Sequence, residues 1–160
     1  MGPPRAASEG VSKADFLADI RSARVKLDWV LARRDEQTLS ETVVPGLSWT
    51  TKELLAHLIG YDLAVLKAIA DVRAGQRWAW GWTYPNFDDW NESQVGPRRS
   101  RTYTAVRAEL ETSRTRLLAE LDRWPEDGGP LGADTWDRTK SEIAWIGPHE
   151  REHAEMIAKL

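Results

Sequence analysis

The chain has 160 residues, of which 41% are hydrophobic, and a formal net charge of −3; that length suits one domain, at residues 11–160, burying roughly two thirds of its unfolded surface. The absence of cysteine excludes disulfides, thiolate metal sites and a cysteine nucleophile, and leaves histidine and carboxylate as the available ligands. The charge balance lacks the basic excess on which nucleic-acid binders rely, no run reaches the roughly 18 apolar residues of a membrane span, and no apolar signal stretch opens the chain, so the expectation is a cytoplasmic protein with no nucleic-acid and no membrane partner.

Residues 1–10, with two prolines and two glycines, read as a disordered arm or an expression-vector remnant. Ser12 followed by Asp15, with Phe16, Ile20, Leu27, Val30 and Leu31 on one stripe, predicts a first helix over about 12–36. After the break at Pro45-Gly46, Thr50-Thr51-Lys52-Glu53 has the form of a capping box ahead of an apolar run to Val72, closed by Gly75. This second helix carries His57 in its second turn.

Residues 76–90 crowd Trp78, Trp80, Trp82, Tyr84, Phe87 and Trp90 into a segment broken by Gly81 and Pro85, and read as a structured loop; a short helical piece over about 87–95 follows. Val106, Leu110, Leu117, Leu118 and Leu121 make a third helix over 102–124, stopped by Pro125, and a loop occupies 125–135. A fourth helix is expected over about 137–160, with Pro148 kinking it or starting its last segment. Four long helices without convincing strands point to an all-α, antiparallel four-helix bundle with a tryptophan-rich loop between helices two and three.

The only three histidines are His57, His149 and His153. His149 and His153 are four residues apart and share a helix face, while His57 sits in an apolar run where an unpartnered imidazole loses hydration without return. His57 has a bland reading as a hydrogen-bonded core residue, and the pair as a solvated face; together the three form a site for Zn²⁺, Ni²⁺ or Fe²⁺ with open positions. Such an ion can lower the pKa of water or hold a thiolate, and both uses need a proton acceptor nearby. Tyr61, Glu152 and, less directly, Glu150 are the catalytic candidates, with solvated helix-face charge as the other reading of the two glutamates. His149-Glu150-Arg151-Glu152-His153 also matches the zinc-protease helix, but the chain after His153 offers no third ligand on the same face, since Glu155 is rotated roughly 200° away.

The tryptophan-rich loop has two open readings: a lid packing its rings on the bundle, or a pocket wall for a bulky apolar or aromatic ligand, with Trp78, Trp80, Trp82, Tyr84, Trp90 and Asn91 as contacts.

The block Trp49-Thr50-Thr51-Lys52-Glu53-Leu54-Leu55-Ala56-His57, followed by Trp90-Asn91 and by His149-x-x-x-His153, resembles the DinB-like superfamily, and within it the ClbS/DfsB group, over about residues 13–160. That resemblance implies a divalent metal held by His57, His149 and His153. Members of the family include thiol-dependent transferases and isomerases, and resistance proteins that open electrophilic natural products by hydrolysis. The resemblance therefore implies a metal-dependent hydrolase or thiol S-transferase acting on a small hydrophobic electrophile, with a low-molecular-weight thiol as a possible co-substrate. A protein that sequesters a small aromatic ligand is the alternative, and a homodimer module is a third reading.

Overall fold

The computed structural model describes residues 11–78 and 86–160. Helix α1 (Lys13–Leu31) opens on Ser12, whose side chain accepts the Asp15 N–H. It ends five residues before the expected boundary because Asp35 caps a separate short helix α2 (Glu36–Glu41), taking the Thr38 N–H at 2.8 Å. Helix α3 (Thr51–Arg73) begins with the complete capping box: Thr50 accepts from the Glu53 N–H, and the Glu53 carboxylate accepts from the Thr50 N–H at 2.9 Å. Asn86 caps α4 (Phe87–Val95), and Thr102 caps α5 (Tyr103–Asp122).

The expected fourth helix is two helices, α6 (Ala133–Ile143) and α7 (Ile146–Ile157). The break falls at Ala144 and Trp145 because the Pro148 ring clashes with the carbonyl four residues before it, that of Ala144. Pro148 itself lies in the first turn of α7, where a missing N–H costs nothing, and the ladder starts with His149 N–H on Trp145 O at 2.9 Å.

The long helices form a helical bundle in which α1 packs on α7, α7 on α3, α3 on α5 and α5 on α1. Paired side chains give their directions. Arg24 with Glu150 and Lys26 with Glu155 make α1 and α7 parallel; Lys52 with the Arg101 carbonyl, Arg114 with Asp62 and Arg73 with Glu120 make α3 and α5 parallel. The contacts between α1 and α5 are antiparallel, as Lys13 with the Asp122 carbonyl and Asp28 with Arg107 show, and so are those between α3 and α7, as His57 with His153 and Tyr61 with His149 show. The sequence-based bundle is thereby refined: the long connection between α3 and α5 returns the chain to its starting end, so two neighbouring pairs run in the same direction. Among the described residues there is no strand beyond the isolated bridge of Val43 with Thr50, and no helix is long and apolar enough to cross a membrane.

The core is divided. One apolar cluster includes Phe16, Ile20, Tyr61, Ile69, Leu117 and Trp145, and the other Leu27, Leu54, Leu58, Val106, Leu110 and Ile157. Between them lies a polar layer with one charged side chain from each of four helices: Arg24 of α1, Asp62 of α3, Arg114 of α5 and Glu150 of α7, all buried. Arg24 Nε donates to Glu150 Oε1 at 2.6 Å, and Arg114 Nη2 and Ser113 Oγ donate to the Asp62 carboxylate, each at 3.0 Å. Arg114 Nη1 meets Glu150 Oε2 at 2.5 Å as an ion pair whose angle falls outside hydrogen-bond geometry.

Candidate metal centre

The capping box fixes the start of α3 and so places His57 two turns in, on the face toward α7, only 4% exposed. His149 and His153 come to it from successive turns of α7. His149 Nε2 lies 2.9 Å from His153 Nε2 and 3.4 Å from His57 Nε2, and the ligand atoms of all three lie within 4.8 Å of one another. Pro148 does not displace His149; by starting α7 afresh it sets the register that brings His149 inward.

The donor set fits a transition metal. Two nitrogens bound tetrahedrally at about 2.0–2.1 Å stand about 3.3 Å apart, close to the spacings that His149 makes with His153 and with His57. The His57 ring has its tautomer fixed, because Nδ1–H donates to Asn91 Oδ1 at 3.0 Å and leaves Nε2 as a free acceptor facing the other two rings. All three imidazoles are neutral at pH 7. Burial, and then the neighbouring His153, push His57 down to about 3 against the favourable Asn91 bond. Burial followed by His153 and His57 takes His149 to about 2, and burial takes His153 to about 4 although Glu150 opposes it. Neutral imidazole is the ligating form.

Aromatic rings wall the cluster. Tyr61 has its ring centroid 4.8 Å from that of His57 and 5.0 Å from that of His149; Trp49 stands 5.1 Å from His57, and Trp145 stands 5.3 Å from His149. The sequence reading passed over Trp49 and Trp145 as site residues. The signals were local: Trp49 adjoins the capping box, and Trp145 precedes His149 by four residues and so shares its face.

Other candidates are placed differently from the sequence reading. Glu150 is not a solvated charge; it is fully buried and held by Arg24 and Arg114, so neither oxygen is free for proton transfer. Glu152 is exposed, away from the buried face that carries the histidines. Tyr61 is buried beside the rings, and that burial raises its pKa, so it keeps its proton. Trp90 is core, packed on Tyr61 at 4.9 Å, and Asn91 is buried against His57 in place of lining an open pocket. Trp78 is half-buried beside a different cleft, near the end of α3. Trp80, Trp82 and Tyr84 lie outside the described residues, as do residues 1–10.

One glycine makes this geometry possible. A Cβ on Gly60 would stand 2.5 Å from Gln94 Cγ and 2.8 Å from Gln94 Cβ, so its absence lets α4 approach α3 closely enough for Asn91 to reach His57.

Residues 19–157 match the family described as the DinB superfamily. The chain belongs to that superfamily. Two solved structures share this DinB fold. The crystal structure of the colibactin self-resistance protein ClbS in complex with a double-stranded DNA superposes with a TM-score of 0.76 at 17% identity, covering 96% of this chain and 97% of that one. DfsB, described as a sibling lethal factor precursor, superposes with a TM-score of 0.68 at 18% identity, covering 94% and 95%. No curated protein matches the chain. The resemblance to the ClbS/DfsB group is therefore borne out in the fold. The exclusion of nucleic acid is corrected, because ClbS has this DinB fold and is in complex with DNA. Net charge averages over the whole surface, whereas phosphate contacts depend on where the cations stand.

Proposed function

We propose that this chain is a divalent-metal-dependent enzyme that acts on a small hydrophobic electrophile, by hydrolysis or by transfer of a low-molecular-weight thiol, in detoxification or self-resistance. The observation that carries the reading is the convergence of three neutral imidazole nitrogens on one point, with His57 held in its ligating tautomer by Asn91. His57, His149 and His153 would hold the ion, and their borderline character favours Zn²⁺, Ni²⁺ or Fe²⁺. Such an ion, when bound, supplies the Lewis acidity that makes an oxygen or sulfur nucleophile available near neutral pH.

The chain's own side chains prepare the site around it. Tyr61 and Trp145, both buried, keep water from the rings, and the half-buried Trp49 offers flat apolar surface to a substrate. Tyr61, with its proton retained, serves as wall and hydrogen-bond donor. Glu150, held by Arg24 and Arg114, positions α7, which carries two of the histidines. ClbS is named for self-resistance, and the shared fold agrees with a role of that type.

The test is elemental analysis of protein purified under metal-replete conditions, joined to an assay for loss of a strained-ring electrophile with and without a small thiol. Stoichiometric transition metal is expected, absent in His153→Ala, with turnover lost on chelation and restored on readdition. Protein that carries no transition metal sinks the proposal. Ligand affinity that survives chelation without turnover assigns the aromatic wall to sequestration instead.

A further inference from the structure

The end of α3 and the helix α6 enclose a cleft of about 400 Å³ that the metal centre does not use. Val72, on its lining, follows His57 by fifteen residues on the same helix, which is about 22 Å along the axis. The rim of the cleft is set by backbone geometry. Gly75, at φ +81°, ends α3 in a Schellman motif: its N–H reaches Val72 O at 3.0 Å, and the Gln76 N–H reaches Asp71 O at 3.0 Å. This turn brings Arg77 and Trp78 opposite Arg138 and Glu142 of α6, above an apolar floor that includes Val72 and Leu131.

The charges there are unlike those around them. Arg73 and Arg123, close by, are both engaged by Glu120. Arg77 and Arg138 are exposed and form no ion pair among the described residues. Among the residues that line the cleft, two guanidinium groups stand against the single carboxylate of Glu142, an excess of positive charge that favours an anion. A guanidinium fork matches a carboxylate in geometry and charge, and the Trp78 indole with the apolar floor suits a flat hydrophobic body. The volume falls within the range of small-molecule sites, roughly 300–1,000 Å³. We propose that this cleft is a second binding site, separate from the histidines, for a small aromatic carboxylate.

The test is calorimetric titration of the whole chain with 1-naphthoate, beside the neutral analogue 1-naphthalenemethanol. Saturable binding of naphthoate is expected, at least tenfold tighter than the neutral analogue. It should persist after chelation and in His153→Ala, and weaken at least tenfold in the Arg77→Ala/Arg138→Ala double variant. Both arginines are exposed, and an unchanged thermal transition checks that the variant folds. The proposal is overturned by absence of naphthoate binding, by equal affinity for the neutral analogue, by a double variant that folds and binds like the parent, or by binding that chelation abolishes, which would place the ligand at the histidines. A chain that carries no metal and still binds naphthoate through these arginines would refute the proposed metal enzyme and leave this site standing.

Discussion

Glu150→Gln is the sharpest test of the polar layer. The carboxylate is fully buried and faces Arg24 Nε at 2.6 Å and Arg114 Nη1 at 2.5 Å. Glutamine keeps the shape but removes the charge, so the four-residue layer changes from neutral to a net positive charge that only the exposed Glu111, 3.4 Å from Arg24, is left to offset, and an amide NH₂ is turned toward a guanidinium. Removing one partner of a buried pair costs about 3–5 kcal/mol, a large part of a typical total stability of about 5–15 kcal/mol. For a chain of this size each kcal/mol is worth about 2–4 °C, so the transition temperature should fall by about 6–20 °C. Urea denaturation monitored by circular dichroism measures the loss, with Glu152→Gln, exposed on the same helix, as a control expected to leave the transition unchanged. A loss below about 1 kcal/mol in Glu150→Gln would refute the claim that this carboxylate is the counter-charge of two buried guanidiniums.

Three further outcomes follow from the site. Gly60→Ala places a methyl against Gln94 at 2.5 Å, so α4 must move; the expected cost is about 1–3 kcal/mol by overpacking, together with weaker metal binding. Asn91→Ala frees the His57 tautomer and should reduce zinc affinity about 10- to 100-fold in competition with a chromophoric chelator, so unchanged affinity would show that the His57–Asn91 bond does not tune the site. The histidines also predict an acid-sensitive metal-free protein. Their folded values of about 3, 2 and 4 lie below the ordinary 6.5, so the unfolded chain binds more protons once the pH falls below 6.5. Their stabilising contribution is complete above that pH and drains away as the pH falls toward 4, each fully titrating group adding a slope of about 1.4 kcal/mol per pH unit. Urea titrations of chelated protein between pH 7.5 and 4.5 measure it, and the slope should shrink in His149→Gln; an equal slope in the two proteins contradicts the assignment.

What the sequence disclosed was local, and what it concealed was pairing at long range. The Thr50 to Glu53 box, the Gly75 stop and the shared face of His149 and His153 depend on residues within six positions, so periodicity and capping rules reach them. Pro148 was expected to kink the last helix or to start its last segment; it stands in the first turn of α7, and the break itself falls at Ala144 and Trp145 because a proline's clash is felt four residues upstream. Glu150 was misread for a different reason. On a helical wheel a glutamate beside a histidine counts as solvated, and nothing nearby announces that its partners are Arg24, 126 residues before it, and Arg114 on a third helix. Trp90 and Asn91 were expected to contact a ligand beside the tryptophan-rich loop, but one serves as packing and the other as a hydrogen-bond acceptor for His57, roles that only the close approach at Gly60 reveals.

The same layer bears on why a buried charge cluster is kept beside the histidines. Well-packed apolar side chains of similar volume are often as stabilising as a buried ionic network, so stability alone does not account for it. Glu150 lies between His149 and His153 on α7, and its two guanidinium partners come from α1 and α5. A slip of α7 by one turn, about 5.4 Å, would strand that charge and carry both imidazoles away from His57. Apolar contacts tolerate such a slip far better, because dispersion and burial are not directional. If the layer sets the register of the three histidines, two measurable quantities separate. Replacing Arg24, Asp62, Arg114 and Glu150 together by methionine or leucine should leave urea stability near that of the parent, while zinc affinity falls at least tenfold. A quadruple variant that is equally stable and binds zinc equally well would show that apolar packing alone sets the register of α7.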